Sequence, residues 1–429
     1  MESGMRCNLS DLNSVDISKP NRPVTSKSAL ARIAASGKRS YFAMLAEIAS
    51  LYIGAGRLSL DEYLDLELFD NDTYKGIDKK AFVGLLAANK IWFQANYQVD
   101  LFALANNKIT SSIWFAAHGL PILPTIAIFH EQVGRTHARL LRSDNELRTF
   151  LQSREHYPLF GKPIVGRQSI GSASIESYEA AHDCLITTDG RIMSLDNFIS
   201  YVKSHGATGY QFQARVSPHV AVREICGNRL ATVRLLTIIN NGKPEILRAC
   251  WKIPAGPHAA DNFWRPGNLL AQLDLKSGRV LRVIRGTGLA HEEISHHPDS
   301  GVRIVGMDVP NWQEVTQLAI DGSKVIGALP LVGWDIAPVD SGAVLVEPNV
   351  TPDFRLHQIA DRRGMRDTVF SSFLVQQRNE STCLLRAAKT LISQNNLALF
   401  KTCGQEIMSA LMWTCFGLGQ GSKGQRICH

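Results

Sequence analysis

The sequence has little that would suit a membrane, a disulfide framework or a structural zinc site. Its eight cysteines (7, 184, 226, 250, 383, 403, 415 and 428) are scattered and form no CxxC pair. Disulfide scaffolds and zinc sites need regular spacing, so these read as reduced thiols of a cytoplasmic protein. The first residues, MESGMRCNLSDLNSVD, lack the apolar run of a secretory signal. Only residues 111–129 form a membrane-length stretch without Lys, Arg, Asp or Glu. That stretch also holds His118, Gly119, Pro121 and Pro124, which divide it into a helix, a turn and a buried strand, and no transmembrane segment is expected. There is no internal repeat and no low-complexity tract.

What remains is a soluble globular composition, 45% hydrophobic and 20% charged, over 429 residues, enough for two or three structural units. The formal charge of +7 belongs to the ends: residues 1–40 carry seven Lys/Arg against three Asp/Glu, and residues 355–429 carry ten against four. Those ends hold +4 and +6, which leaves −3 for the middle. Such tails read as solvated ends, with a phosphate or membrane-surface partner as the alternative.

Residues 1–28 are polar and read as a tail. A helical N-terminal section is expected over 29–105, its first helix running from Ala29 to about Gly54 with Tyr41, Leu45, Ile48 and Tyr52 as an apolar stripe. Ser59 is an N-cap candidate before SLDEYLDLELF. A new unit opens at Asn106-Asn107-Lys108, with a helix expected over 144–152 and strands over 159–165, 209–216, 230–240 and 245–252. The adjacent His296 and His297 read as exposed loop residues, because neighbours in a strand point oppositely. A helix is expected over 311–328, and beyond 353 the chain turns basic and helical, ending in an amphipathic segment at 406–416.

The chemistry concentrates in residues 332–353, VGWDIAPVDSGAVLVEPNVTPD. Asp340-Ser341-Gly342 is a turn signal between two β-prone runs. A hairpin looped by those three residues sets Val339 against Ala343 and Asp335 against Glu347, with cross-strand Cβ atoms roughly 5 Å apart. Asn349, two residues on, shares the face of Glu347. Two carboxylates so close repel unless a cation lies between them, and an all-oxygen set suits Mg²⁺ with phosphate and water. The plain alternative is an exposed hairpin with ordinary surface acids.

Two further cations stand out. Lys162 lies inside the strand LFGKPIV, which runs into the loop GRQSIGS with Gly166 and Gly171, a small loop whose amides can approach phosphate. Arg234 sits in LATVRLLTIIN between apolar neighbours, where a guanidinium needs an anion. For Lys162 the alternative is an ordinary lysine beside a loop; for Arg234 it is a structural ion pair. Arg248 and Lys252 add basic groups to one face of the following strand.

The order of these parts resembles an ATP-grasp enzyme. Lys108, then Lys162 with its glycine loop, a hinge at Gln213, Arg234 in TVRLLT, and Asp335 with Glu347-x-Asn349 follow the family's arrangement. TVRLLT, DNF at 261–263 and VGWDIAPVDSGAVLVEPN are similar to the sugar-transfer-associated subgroup, related to α-L-glutamate-ligase-like proteins, over roughly residues 100–370. The resemblance implies an α+β, two-lobed ATP-grasp fold with helical N- and C-terminal extensions: a small lobe over 106–208, a large lobe with the Mg²⁺ site over 209–370 and a C-terminal extension over 371–429.

It also implies roles. Lys108 and Lys162 would contact ATP phosphates under a lid over 166–172 that includes Gly166, Ser169 and Gly171. Gln213, Ala214 and Val216 would line the adenine. Asp335, Glu347 and Asn349 would hold Mg²⁺, and Arg234, with Lys162, would act on the transferring phosphoryl group. Two departures are visible: Ser169 stands where the family usually has Gly, and Gln213-Ala214 replaces the acid often found at the hinge, which leaves ribose recognition unassigned.

The activity implied is ATP-dependent ligation of a small-molecule carboxylate to an amine through an acylphosphate, in a glycan or polysaccharide setting, with no nucleic-acid partner and no signature of oligomeric state. The alternatives are a phosphotransferase on the same scaffold and a non-enzymatic binder of anionic polymer.

Overall fold

The computed structural model describes residues 26–130, 137–166, 170–258 and 260–394. Most of the expected polar tail, the segment at 406–416 and Ser169 lie outside these residues. The described residues divide into two units between Leu374 and Val375.

The N-terminal section carries α1 (Ser26–Ala35), α2 (Tyr41–Ile53), α3 (Leu60–Asp65), α4 (Leu85–Ala95), α5 (Phe102–Asn106) and α6 (Lys108–Ala117). A break between α1 and α2, with Gly37 at φ +73°, splits the first expected helix in two. The stripe expected on α2 faces the wrong way. Met44 and Leu51 are its buried residues, while Tyr41, Leu45 and Tyr52 are 38–47% exposed. Only Ile48 of the four packs on the core, because the buried face of the helix runs through Met44, Ile48 and Leu51. Ser59 caps α3 as expected: its hydroxyl accepts from the Glu62 amide, and Glu62 accepts from the Ser59 amide at 2.8 Å.

The first sheet contains β1 (Thr125–Phe129), β2 (Arg139–Leu141), β3 (Leu159–Pro163), β4 (Ala173–Glu179), β5 (Cys184–Thr187), β6 (Ile192–Ser194) and β7 (Tyr210–Ala214), in the order β2-β1-β7-β3-β4-β5-β6. Helices α7 (Asp144–Gln152) and α8 (Leu195–His205) cover one of its faces, and Leu147, Phe150, Phe198 and Val202 pack there against Tyr210 and Phe212. Ser143 and Ser194 cap the two helices. β7 lies between β1 and β3, so it belongs to this sheet and not to a second lobe beginning at 209.

After α9 (Val220–Cys226) come β8 (Thr232–Asn240), β9 (Lys243–Ile253), β10 (Leu269–Leu273), β11 (Val280–Arg285), β12 (Glu292–Ile294), α10 (Trp312–Ile326), β13 (Leu331–Val339) and β14 (Gly342–Asn349). The second sheet runs β12-β11-β10-β9-β8-β13-β14, all antiparallel. One face is apolar: Val233, Leu235, Trp251, Trp334 and Ile336 pack with α10 in the largest core. α11 (Phe354–Asp361) and the N-terminal helices lie over the other face, where Leu356 and Ile359 meet Cys250, Leu270 and Ile284. α12 (Thr368–Gln394) follows. No helix among the described residues is long and apolar enough to cross a membrane.

Candidate active site

The β13–β14 hairpin turns on two residues, Asp340 and Ser341, because Val339 pairs with Gly342 and Pro338 with Ala343. The expected three-residue loop, with Val339 against Ala343, is therefore corrected. Gly342, at φ +124°, supplies the backbone conformation that the turn needs. A bulge then leaves Val346 unopposed, and beyond it Asp335 pairs with Glu347 and Gly333 with Asn349. Asp340 ties the turn to α9, accepting from the Val220 amide at 2.8 Å and from Arg223 at 2.7 Å.

Successive pairings carry one row of side chains across the sheet: Glu347, Asp335, Arg234, Cys250 and Gln272. Opposed residues share a face, so this row lies on the side away from the main core. Arg234 grips Asp335 in a two-pronged ion pair, Nε donating to Oδ1 at 2.5 Å and Nη2 to Oδ2 at 2.7 Å. Lys252 of β9 adds a contact to Oδ2 at 3.1 Å and lies 3.6 Å from Oδ1 of Asp261. Asp261 in turn accepts from the Thr232 amide at 2.7 Å and hydroxyl at 2.5 Å. Gly333 leaves room for this packing, since a Cβ there would stand 2.8 Å from Pro352 and 3.4 Å from the Arg234 stem.

These contacts change the electrostatic argument. Asp335 is compensated by two protein cations, so its repulsion from Glu347 does not by itself demand a metal. Burial alone would raise its pKa; Arg234 and Lys252 outweigh burial and hold it well below the usual carboxylate range. Burial likewise works against the charge on Arg234, and Asp335 outweighs it. Asp261 goes the other way, raised by burial despite Lys252. His357 of α11 is fully buried nearby, with neither ring nitrogen partnered among the described residues. Burial, with Arg234 and Arg248 adding, pushes its pKa down to about 3, which keeps the ring neutral. Sequence reasoning had only a basic residue on β9 and the DNF motif as signals for Lys252 and Asp261, and none for His357.

On the first sheet, Lys162, Gln211, Gln213, Phe160 and Ser174 share the face opposite the α7–α8 core. Lys162 is 6% exposed, and its ammonium makes no hydrogen bond or ion pair among the described residues. Burial pushes its pKa down to about 8; Glu347 and Asp335 of the second sheet pull it up, and Lys108 pushes it down. The carbonyl oxygens of Gln211 and Gln213 and the Thr125 hydroxyl are also buried without partners among the described residues. Lys108, at the start of α6, donates to the Gly166 carbonyl at 3.1 Å. Tyr210 donates to the Gly171 carbonyl at 2.8 Å, and a Cβ at Gly171 would come within 2.8 Å of Pro163 and His205. Ala214 donates its amide to Pro124, and Val216 packs with Leu123, Leu230, Ala337, Val344 and Val346 where the two sheets meet.

Among the described residues no cluster of three or more His, Cys, Asp or Glu is placed to hold a metal. The oxygen set at the hairpin is two carboxylates and an amide. Arg234 hydrogen-bonds both Asp335 oxygens and Lys252 adds an ion-pair contact to Oδ2, so Oδ1 is the more open of the two. Glu347 and Asn349 sit on one face of β14, and the Asn349 amide nitrogen is buried without a partner. Such a set fits a hard cation that keeps water and phosphate ligands. His297, by contrast, is buried rather than exposed, because its ring bonds the Pro254 carbonyl and the amides of Asp299 and Ser300.

Two sheets in tandem, the first carrying a buried lysine and the second ending in an acid-bearing hairpin, make the two-lobed α+β ATP-grasp fold. Residues 88–371 match the family model of sugar-transfer associated ATP-grasp proteins, and the chain belongs to that family. Among solved structures, D-alanine-D-alanine ligase from Coxiella burnetii is similar at 12% identity and a TM-score of 0.39, over 68% of this chain and 62% of that one. D-alanyl-alanine synthetase A from Vibrio cholerae O1 biovar eltor gives 14% and 0.37, over 65% of each chain. Biotin carboxylase from Campylobacter jejuni gives 10% and 0.39, over 69% and 53%. The chain thus spans under two-thirds of the length of each of these structures. No curated protein matches the sequence.

Proposed function

We propose that the chain is an ATP-dependent ligase joining a carboxylate to an amine, acting in the cytoplasm on small molecules that are sugar-linked, a setting in keeping with a family described as sugar-transfer associated. The observation that carries this reading is Lys162, a buried ammonium with no partner among the described residues, on which Glu347 and Asp335 of the other sheet act. Lys162 and Lys108 bind phosphate, with Gly166 and Gly171 framing the loop above it. Gln213, Ala214 and Val216 line the base. Glu347, Asn349 and Oδ1 of Asp335 hold Mg²⁺, which when bound neutralises phosphate oxygens. Arg234, fixed on Asp335, presents positive charge to the transferring group.

In the first step a carboxylate oxygen of the substrate attacks the γ-phosphorus and the bond to ADP breaks, giving an acylphosphate. An amine nitrogen then attacks the acyl carbon, phosphate leaves, and the nitrogen gives up a proton to yield the amide. Incubation with ATP, Mg²⁺, uronic or amino acids and hydroxylamine tests this: ADP and a hydroxamate should form together. Formation of ADP with a phosphorylated sugar and no hydroxamate would replace the ligase reading with phosphotransfer to a hydroxyl.

A further inference from the structure

The oxygens of Asp335 are not equivalent. Oδ1 accepts one bond, from Arg234 Nε, whereas Oδ2 accepts from Arg234 Nη2 at 2.7 Å and is in addition ion-paired with Lys252 at 3.1 Å. Two cationic groups therefore crowd Oδ2, and only one meets Oδ1, which is the more open oxygen. Lys252 cannot drift from this position. Both its neighbours along the pairing, Thr232 and Leu270, are buried, and Asp261 holds its far side at 3.6 Å. Asp261 is itself fixed by the Thr232 amide and hydroxyl. The loop that brings Asp261 there is pinned by Asn268, which donates to the carbonyls of Ala260 and Asn262 and accepts from the Ala255 amide.

We propose that the Asp261–Lys252 pair is a selectivity device for the divalent cation: by setting a second cation against Oδ2 it favours one-oxygen coordination of Asp335 through Oδ1. A one-oxygen ligand suits the small, strictly octahedral Mg²⁺, whereas Ca²⁺ readily takes a carboxylate through both oxygens and accepts more ligands. Lys252 is thus a positioning residue, acting on the cation only through Asp335. The arrangement is also balanced in charge, since Lys252 and Arg234 face Asp335 and Asp261, two cations against two carboxylates. The inference rests on the Mg²⁺-nucleotide reading of the site.

The test is calorimetric titration of Mg²⁺ and Ca²⁺ into the full-length protein with ADP present, comparing the unaltered chain with Lys252→Met/Asp261→Asn. That double change removes one charge of each sign, so no unpaired ion is left buried. Outer-sphere partners of this kind shift metal affinity by about 10–100-fold. The expected result is a rise of about tenfold or more in affinity for Ca²⁺ relative to Mg²⁺. An unchanged ratio, with both cations still binding, overturns the role of Lys252 and leaves the nucleotide site standing. Failure of the unaltered chain to bind Mg²⁺-ADP overturns both. If the double variant does not fold, Lys252→Gln offers a neutral donor that Ca²⁺ can displace; a ratio shift of about threefold is expected there, and none would overturn the inference.

Discussion

Glu347 faces Asp335 because Val346 is bulged out of the β13–β14 ladder. Without that extra residue the two-residue turn would pair Asp335 with Val346 and send Glu347 to the opposite face of the sheet. The bulge therefore assembles the oxygen set, and Asn349 follows it onto the same side.

Lys162 gives a prediction with a pH window. Burial lowers its pKa to about 8 from the model-peptide value of 10.5. Between those values the unfolded chain holds a proton that the folded chain has released, so the stability of the nucleotide-free protein should rise as pH increases across the window. Nucleotide phosphate favours the charged amine, so ATP affinity should fall as pH passes about 8. Lys162→Met should abolish both slopes and weaken ATP binding by about tenfold or more, since a charged hydrogen bond is worth roughly 1.5–3 kcal/mol. Chemical denaturation and calorimetry between pH 7 and 10 read the two effects.

Arg234 and Asp335 call for a double-mutant cycle. Arg234→Met leaves a buried carboxylate with only Lys252, and breaking such a pair costs about 3–5 kcal/mol. Asp335→Leu together with Arg234→Met removes both charges and should recover most of that loss. Turnover should not recover, because both the cation that meets the transferring group and the Asp335 oxygen that would hold Mg²⁺ are gone. Equal recovery of stability and turnover would reduce Arg234 to a structural partner. Melting curves and single-turnover kinetics on the same samples separate the outcomes.

Tyr210 ties the glycine loop to the sheet. Its hydroxyl holds the Gly171 carbonyl, and its ring lies where a Cβ on Gly161 would come within 2.6 Å. Tyr210→Phe should cost about 1 kcal/mol and raise KM for ATP with little change in kcat. Gly161→Ala should be worse, at about 1–3 kcal/mol, because the buried ring must move. Matched losses in KM and kcat for the Phe variant would argue against loop positioning.

Much of the second sheet was legible in the sequence, since β8, β9, β13 and β14 are long β-prone runs bounded by turn residues. Helix α7 was legible too, since it spans the 144–152 expected for it. The bulge was hidden because a three-residue loop without a bulge and a two-residue loop with one give the same Asp335–Glu347 pair. The place of β7 was hidden for another reason: its insertion between β1 and β3 depends on contacts far apart in the chain. On α2 the conspicuous aromatic spacing misled, since burial there follows Met44 and Leu51. Lys108, Lys162 and the hairpin acids could be picked out as residue types in order. That Lys252 and Asp261 complete the Asp335 network depends on the β8–β9–β13 register, which no local pattern encodes.

Asp335 carries structural ion pairs, so the metal is best tested at Glu347, for which no salt bridge is formed among the described residues. Glu347→Gln keeps shape while weakening a hard-cation ligand. The measurement is the rise in melting temperature on adding Mg²⁺-ADP, which linkage requires of any ligand bound only to the folded state. A rise of several degrees is predicted for the unaltered chain and almost none for Glu347→Gln, with the two ligand-free proteins melting alike. Equal rises in both would contradict a metal–nucleotide site at the β13–β14 hairpin.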